Sequence, residues 1–231
     1  MDCIAEEYNA TWECELTQVK VCMNSQNFHE AIQYAEERLQ HELSPTLIYH
    51  GIAHTRDEVV PAAETLAGME GITGRSLLLL LTAAWFHDLG YVENAVHHEL
   101  ISARMAMEVL PSFGYSPADV EIVRWAILAT ALPQSPRNLL EQILTDADLD
   151  VLGQSNYMKR NQDLRQELTF FGKTFTDEEW YSQQLKFIEG HQYFTASAHT
   201  MRDAQKSINI RALRNVLEEL STRDESRRPE I

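Results

Sequence analysis

Apolar residues recur at helical spacing along most of the chain, and no stretch alternates with the two-residue period of a strand. The expected helices cover residues 10–23, 27–43, 55–69, 96–110, 118–131, 138–145, 157–171, 177–190 and 197–220. A short helix begins at Ser44-Pro45-Thr46, where Pro45 suits a first turn. Pro61 is expected to kink or restart the 55–69 helix. Turns fall at Glu70-Gly71-Ile72-Thr73-Gly74 and Leu89-Gly90-Tyr91, and loops at 111–117 and 133–137. The densest apolar run is Leu77 to Phe86, which leads directly into His87-Asp88. A run of this length reads as a buried helix, since a bilayer span needs about 20 apolar residues. The fold class is therefore all-α. Residues 1–44 form a helical extension packed on the domain, 45–220 the domain with its C-terminal helices, and 221–231 a flexible tail.

A buried helix that ends in an imidazole and a carboxylate is unusual, because a buried carboxylate is costly unless paired or bound to a cation. Alone, the pair reads equally as a core histidine beside a helix-end aspartate. Upstream lies Tyr49-His50-Gly51-Ile52-Ala53-His54-Thr55, with two histidines four residues apart, which on one helix share a face. Downstream, Asp146-Ala147-Asp148-Leu149-Asp150 sets carboxylates among apolar residues.

Together these segments resemble the HD phosphohydrolase superfamily, in which a histidine, a His-Asp pair and an aspartate come from separate helices. The resemblance runs over roughly residues 45–155 and more weakly to 210. It implies an HD-domain helical bundle with a metal site in its core. The implied ligands are His54, His87, Asp88 and Asp148, the last preferred over Asp146 and Asp150 because Ala-Asp-Leu matches the final motif. Such a mixed nitrogen and oxygen set suits one divalent ion such as Mn, Fe, Co, Ni or Zn, and accepts Mg. In similar cyclic-nucleotide phosphodiesterases, the histidine four residues before the first ligand protonates the leaving oxygen, a role that falls on His50. A donor beside a cation needs a carboxylate partner, for which Glu58, Glu93 and Glu99 are candidates. Asp88 joins His50 in the catalytic set. Glu99 is a candidate to orient a bound water, against a plain helix-dipole role. The superfamily's binuclear members carry a further histidine near the end of the 118–131 helix, where this chain has Ala126-Ile127-Leu128-Ala129-Thr130. That departure favours a single metal and leaves His97 and His98 at the surface or behind the ligands.

A phosphate needs cations nearby: Lys159, Arg160 and Arg165 follow the Asp148 segment, and Arg165 and, more weakly, Arg104 are the preferred candidates with Lys159, Arg165 for its guanidinium fork. The implied activity is metal-dependent hydrolysis of a small phosphate ester, mono- or diester, a nucleotide among the candidates. The alternative is a metal-containing module that binds such a ligand with little turnover. The net charge of −16 disfavours duplex nucleic acid as a partner. Cys3, Cys14 and Cys22 lack a paired metal-type spacing and read as reduced thiols. With no membrane span and no signal segment, the expected location is cytoplasmic. The sequence leaves the oligomeric state open, a homodimer included.

Overall fold

A computed structural model of the chain describes residues 25–226. Within them the architecture is all-α, as expected, with nine α-helices joined by short turns. The expected helix over 10–23 and the three cysteines lie outside the described residues.

Helix α3 (Gly74–Phe86) is the axis of the molecule. Around it pack α1 (Ser25–Glu42), α2 (Val60–Met69), α5 (Pro117–Ala129) and α6 (Leu139–Asp148). The leucine run is apolar on most of its faces because the neighbours bury most of them: Leu79, Leu80, Ala83, Ala84 and Phe86 are all inside. Helix α1 puts Ala31, Ala35 and Leu39 into the same core as α2–α6, so this part of the N-terminal extension is integral to the domain. The one polar side chain midway along α3, Thr82, is satisfied: its hydroxyl donates to the Leu78 carbonyl and meets the Tyr115 hydroxyl at 2.7 Å.

Helix starts follow local chemistry. Ser116 and Asp119 form a reciprocal capping box at α5, with Pro117 in the first turn, and Thr176 and Glu179 do the same for α8 (Asp177–Gly190). Asn138 caps α6. Helix α4 (His98–Val109) packs against α5 and against the turn Leu89–Val92. Helices α7 (Tyr157–Phe170), α8 and α9 (Ala196–Ser226) complete the chain. A smaller core of Val151, Leu152, Tyr157, Ile188 and Leu213 seats this C-terminal group. Helix α9 runs on to Ser226, so residues 221–226 of the expected tail are helical; 227–231 lie outside the described residues.

The crossing of Leu89-Gly90 over the start of α4 fixes where the His-Asp pair sits. The Gly90 N–H donates to Ser102 Oγ at 2.7 Å. A Cβ on Gly90 would lie 2.1 Å from the His98 carbonyl oxygen and 2.9 Å from the Ser102 nitrogen. Backbone cannot yield as a side chain can, so Gly90→Ala should destabilise at or above the top of the about 1–3 kcal/mol range of overpacking. Thermal unfolding checks this; an unchanged melting temperature would mean that the crossing is loose.

Candidate metal centre

The segment that enters the site departs from the expected helix. Residues 43–51 are turns and bends, and helical structure begins only at Ile52. The cause lies on α7. The buried carboxylate of Glu167 accepts the backbone N–H groups of Tyr49 and His50 through Oε2, at 2.8 and 3.0 Å. Its Oε1 accepts from His50 Nδ1 at 2.5 Å. Those N–H groups are thereby withdrawn from any helical ladder. Gly51 permits the bend, since a Cβ there would meet the Leu47 carbonyl oxygen at 2.8 Å. His50 and His54 therefore do not share one helical face; they approach edge to face, with ring centroids 5.9 Å apart.

His54 opens a π-helical turn, His54–Val59, which leads directly into α2. The wider bonding, from Val60 N–H back to the Thr55 carbonyl, ends there, and the α-helix proper starts at Val60 with Pro61 in its first turn, the restart expected at this proline. The turn points His54 into the core and sets Glu58 against it, with Nδ1 3.1 Å from Glu58 Oε2. His87 ends α3, fully buried, and its Nδ1 donates to the Ala84 carbonyl at 2.7 Å. Both imidazoles are thus held in the tautomer that leaves Nε2 as a lone-pair donor, as metal-binding histidines are. Asp88 follows on the turn, and Asp148 is the last residue of α6.

The donor atoms converge. His54 Nε2 lies 3.2 Å from Asp148 Oδ1, and His87 Nε2 lies 3.5 Å from the same oxygen. Asp88 Oδ2 lies 3.4 Å from His87 Nε2 and 3.8 Å from His54 Nε2. Ligands about 2.0–2.2 Å from one ion sit roughly 3.0–3.5 Å from one another, a range that the spacings of 3.2, 3.4 and 3.5 Å meet and that the His54–Asp88 spacing of 3.8 Å slightly exceeds. His87 Nε2 and Asp88 Oδ2 are buried and make no hydrogen bond. Buried polar atoms without a partner are rare, and these two face the same point. His54, His87 and Asp148 could hold a metal ion, and Asp88 Oδ2 lies beside His87 at 3.4 Å. Of the competing carboxylates, Asp146 accepts from the Phe194 and Thr195 N–H groups and the Thr195 hydroxyl. Asp150 pairs with Arg202 and Gln154.

Electrostatics agree with a cation-seeking site. Burial disfavours charge on His54, but Asp148, Glu58 and Asp88 outweigh it and bring the imidazole up to about 9. His87 is raised in the same way, against its own burial, by Asp88 and Asp148. Burial likewise opposes ionisation of Asp88 and Asp148, yet the imidazoles hold both carboxyls below their ordinary range. Without an ion, protonated histidines are what balance the two carboxylates.

Around this centre His98 is half-buried, with Nε2 3.3 Å from Asp88 Oδ1. The Tyr91 ring stacks between His50 and His98, at 4.6 and 4.1 Å. Glu99 Oε1 is 3.6 Å from His98 Nε2, at the edge of the cluster. His97 is exposed, and the Thr130 hydroxyl donates back to Ile127 of its own helix. Of the expected phosphate cations, Arg104, Lys159 and Arg165 do not gather here. Arg104 pairs at the surface with Glu93 and Glu108. Lys159 reaches only Asp163, and Arg165 binds Asp177 and the Phe175 carbonyl between α7 and α8. Two other arginines approach: Arg160, buried, bonded to Glu58 Oε2 at 3.0 Å and the Tyr49 carbonyl at 2.8 Å, and Arg202, paired with Asp150 on the wall of the cavity that His54 and Asp148 line. Arg160, Leu164 and Glu167 follow one face of α7. That spacing was the sequence signal for both Arg160 and Glu167, and neither Glu58, Glu93 nor Glu99 is the carboxylate that holds His50.

A solved structure from an uncultured Thermotogales bacterium, described as a predicted HD superfamily hydrolase, superposes with a TM-score of 0.54 over 83% of this chain and 92% of its own, at 22% identity. The chain has the HD-domain fold. A structure from Lactobacillus plantarum aligns at a TM-score of 0.59, with 18% identity, over 89% of this chain and all of the other. An uncharacterized protein of Clostridium beijerinckii is 28% identical over 105 residues, which are 44% of this chain and 66% of that relative. No family model matches the chain. In this HD-domain fold, among the described residues, no helix is long and apolar enough to cross a membrane.

Proposed function

We propose that the protein is a metal-dependent phosphohydrolase acting on a small phosphate ester. The observation that carries this reading is the convergence of His87 Nε2 and Asp88 Oδ2, buried and without hydrogen bonds, with His54 and Asp148. His54, His87, Asp88 and Asp148 would hold one divalent ion, which when bound supplies an activated water and neutralises phosphoryl charge. Asp88 Oδ1 faces His98 Nε2 at 3.3 Å, which would orient the carboxylate toward the ion. His50 lines the adjoining cavity, with Nδ1 engaged by Glu167, which leaves Nε2 to protonate the leaving oxygen. Burial works against ionisation of Glu167, but His50 and the two backbone N–H groups overcome it and keep the carboxylate charged. An ionised Glu167 is suited to steady the imidazolium.

The test is a screen of phosphate mono- and diesters with added Mn, Co, Ni, Zn, Fe and Mg. Turnover should vanish with a chelator and return with one of these ions. A second reading, a binding module with little turnover, is favoured by one feature: Arg160, the permanent cation on the cavity wall, is already paired with Glu58 and Asp163. Metal-loaded protein that binds phosphate esters and hydrolyses none would select it.

A further inference from the structure

The cavity beside the metal centre encloses about 290 Å³, near the lower end of ligand pockets, about 300–1,000 Å³. Its wall carries His50, Tyr91 and His98 at the metal end. Leucine and valine side chains line most of the remainder, with Tyr49, Tyr157 and the already paired Arg160 among them, and Leu132 and Phe187 stand exposed at the rim. Such a wall fits a flat, largely apolar body. Two amides interrupt it, Asn161 and Gln184.

Their orientation follows from one group that can act only one way. The Trp180 indole N–H is a donor and never an acceptor. It lies 2.6 Å from Asn161, so the atom it meets must be the Asn161 oxygen. Asn161 therefore presents its NH2 to Gln184, at 2.7 Å, and the atom it meets there must be the Gln184 oxygen. Trp180 and Asn161 are both buried, so neither amide can turn over at low cost. The Gln184 oxygen is thereby held toward Asn161, and the NH2 is the other end of the same amide, on a residue that lines the cavity.

We infer that Gln184 is a specificity-determining residue whose amide NH2, locked as donor by the Trp180–Asn161 relay, reads a hydrogen-bond acceptor on the apolar ring body of the phosphate ester. The inference rests on the proposed reading for the phosphate and on the relay for the ring. A ring that offers an N–H at that position would set donor against donor and leave both unsatisfied in a dry pocket.

The test uses the full chain and three probes of similar size: phenyl phosphate, the isomeric pyridyl phosphates with a ring-nitrogen acceptor, and the isomeric aminophenyl phosphates with a donor. Binding is measured by titration calorimetry and turnover by phosphate release. Wild type should prefer at least one pyridyl isomer over phenyl and aminophenyl phosphate by roughly 10- to 100-fold, the size of one mismatched buried hydrogen bond. Gln184→Glu keeps the acceptor that Asn161 needs and turns a carboxylate oxygen to the cavity, so the preference should swing to an aminophenyl isomer. Gln184→Met should flatten it. Gln184 is half-buried, which makes both variants mild for the fold. The same ring preference in all three proteins, or no measurable binding of any ring ester, would overturn the inference. The two readings can fail separately. Turnover with preferences that ignore Gln184 removes the inference alone. Calorimetric preferences that follow Gln184 without turnover remove the hydrolase reading alone.

Discussion

His87→Ala and Asp88→Ala should each lose metal affinity by more than the roughly 10–100-fold typical of removing an outer-shell partner, because each deletes a ligand itself. Metal analysis of the purified variants reads this directly, and stoichiometric metal in both would sink the proposed centre. The ion-free proteins should differ as well. In wild type, burial opposes the charge on His54, but Asp148, Glu58 and Asp88 carry its imidazole from 6.5 to about 9. His87 is raised by Asp88 and Asp148 despite its own burial. Removing His87 leaves the buried Asp88 and the partly buried Asp148 with one imidazole between them, and breaking a buried pair costs about 3–5 kcal/mol, an upper bound here. The sign of the pH dependence follows from the same shift. A histidine whose folded value is raised lends stability that is complete below its ordinary value and disappears as pH rises through the folded one. The ion-free protein should therefore lose stability between about pH 6.5 and pH 9. A metal must displace the proton from His54, so affinity should climb over the same window. Melting of the chelated protein and metal titrations across that range should run in opposite directions. Parallel curves would show that His54 is not a ligand.

The parts of this site that lie inside single helices or at their ends were legible in the sequence. The run Leu77–Phe86 announces burial by composition, so the polar pair that follows must be paired or bound. Asp148 sits on the inner face of an amphipathic helix, and its neighbours Asp146 and Asp150 have their own partners. What was not legible depends on contacts between distant segments. Ser44-Pro45-Thr46 carries a sound helix-start pattern, yet Glu167, more than a hundred residues away, takes the N–H groups that such a helix would use. Local propensity is worth tenths of a kcal/mol per residue, less than leaving a buried carboxylate and two amides unpaired. The choice among the cations depends on the same kind of contact. Arg165 has the more suggestive setting in Leu-Arg-Gln-Glu-Leu, but its position on α7 turns it toward Asp177, whereas Arg160 shares the inward face with Leu164 and Glu167. A chain-wide charge count says nothing about which face of a helix an arginine occupies.

His50→Ala should keep its metal and its fold and lose turnover by on the order of 10²–10⁴-fold, the usual worth of a positioned general acid. The geometry behind this differs from the spacing argument that first singled the residue out. His50 is held beside the centre by Glu167, not by a shared helix with His54, and no ligand donor depends on its ring. Proton donation matters in proportion to the basicity of the leaving oxygen, so the loss should shrink for nitrophenyl esters and grow for alkyl esters. Glu167 allows the same role to be tested from the other side. Glu167→Gln retains an oxygen for the Tyr49 and His50 N–H groups but removes the negative charge beside His50 Nδ1. It should fold, keep its metal, and show the same leaving-group dependence as His50→Ala with a smaller loss. Glu167→Leu instead strands two backbone donors beside the site, at about 1–3 kcal/mol each, and should melt earlier as well. The leaving-group dependence separates a proton donor from a residue that merely shapes the entrance. If His50→Ala and Glu167→Gln lose activity equally on nitrophenyl and alkyl esters, the protonation step does not run through this pair, and His50 serves only to pack Tyr91 against His98.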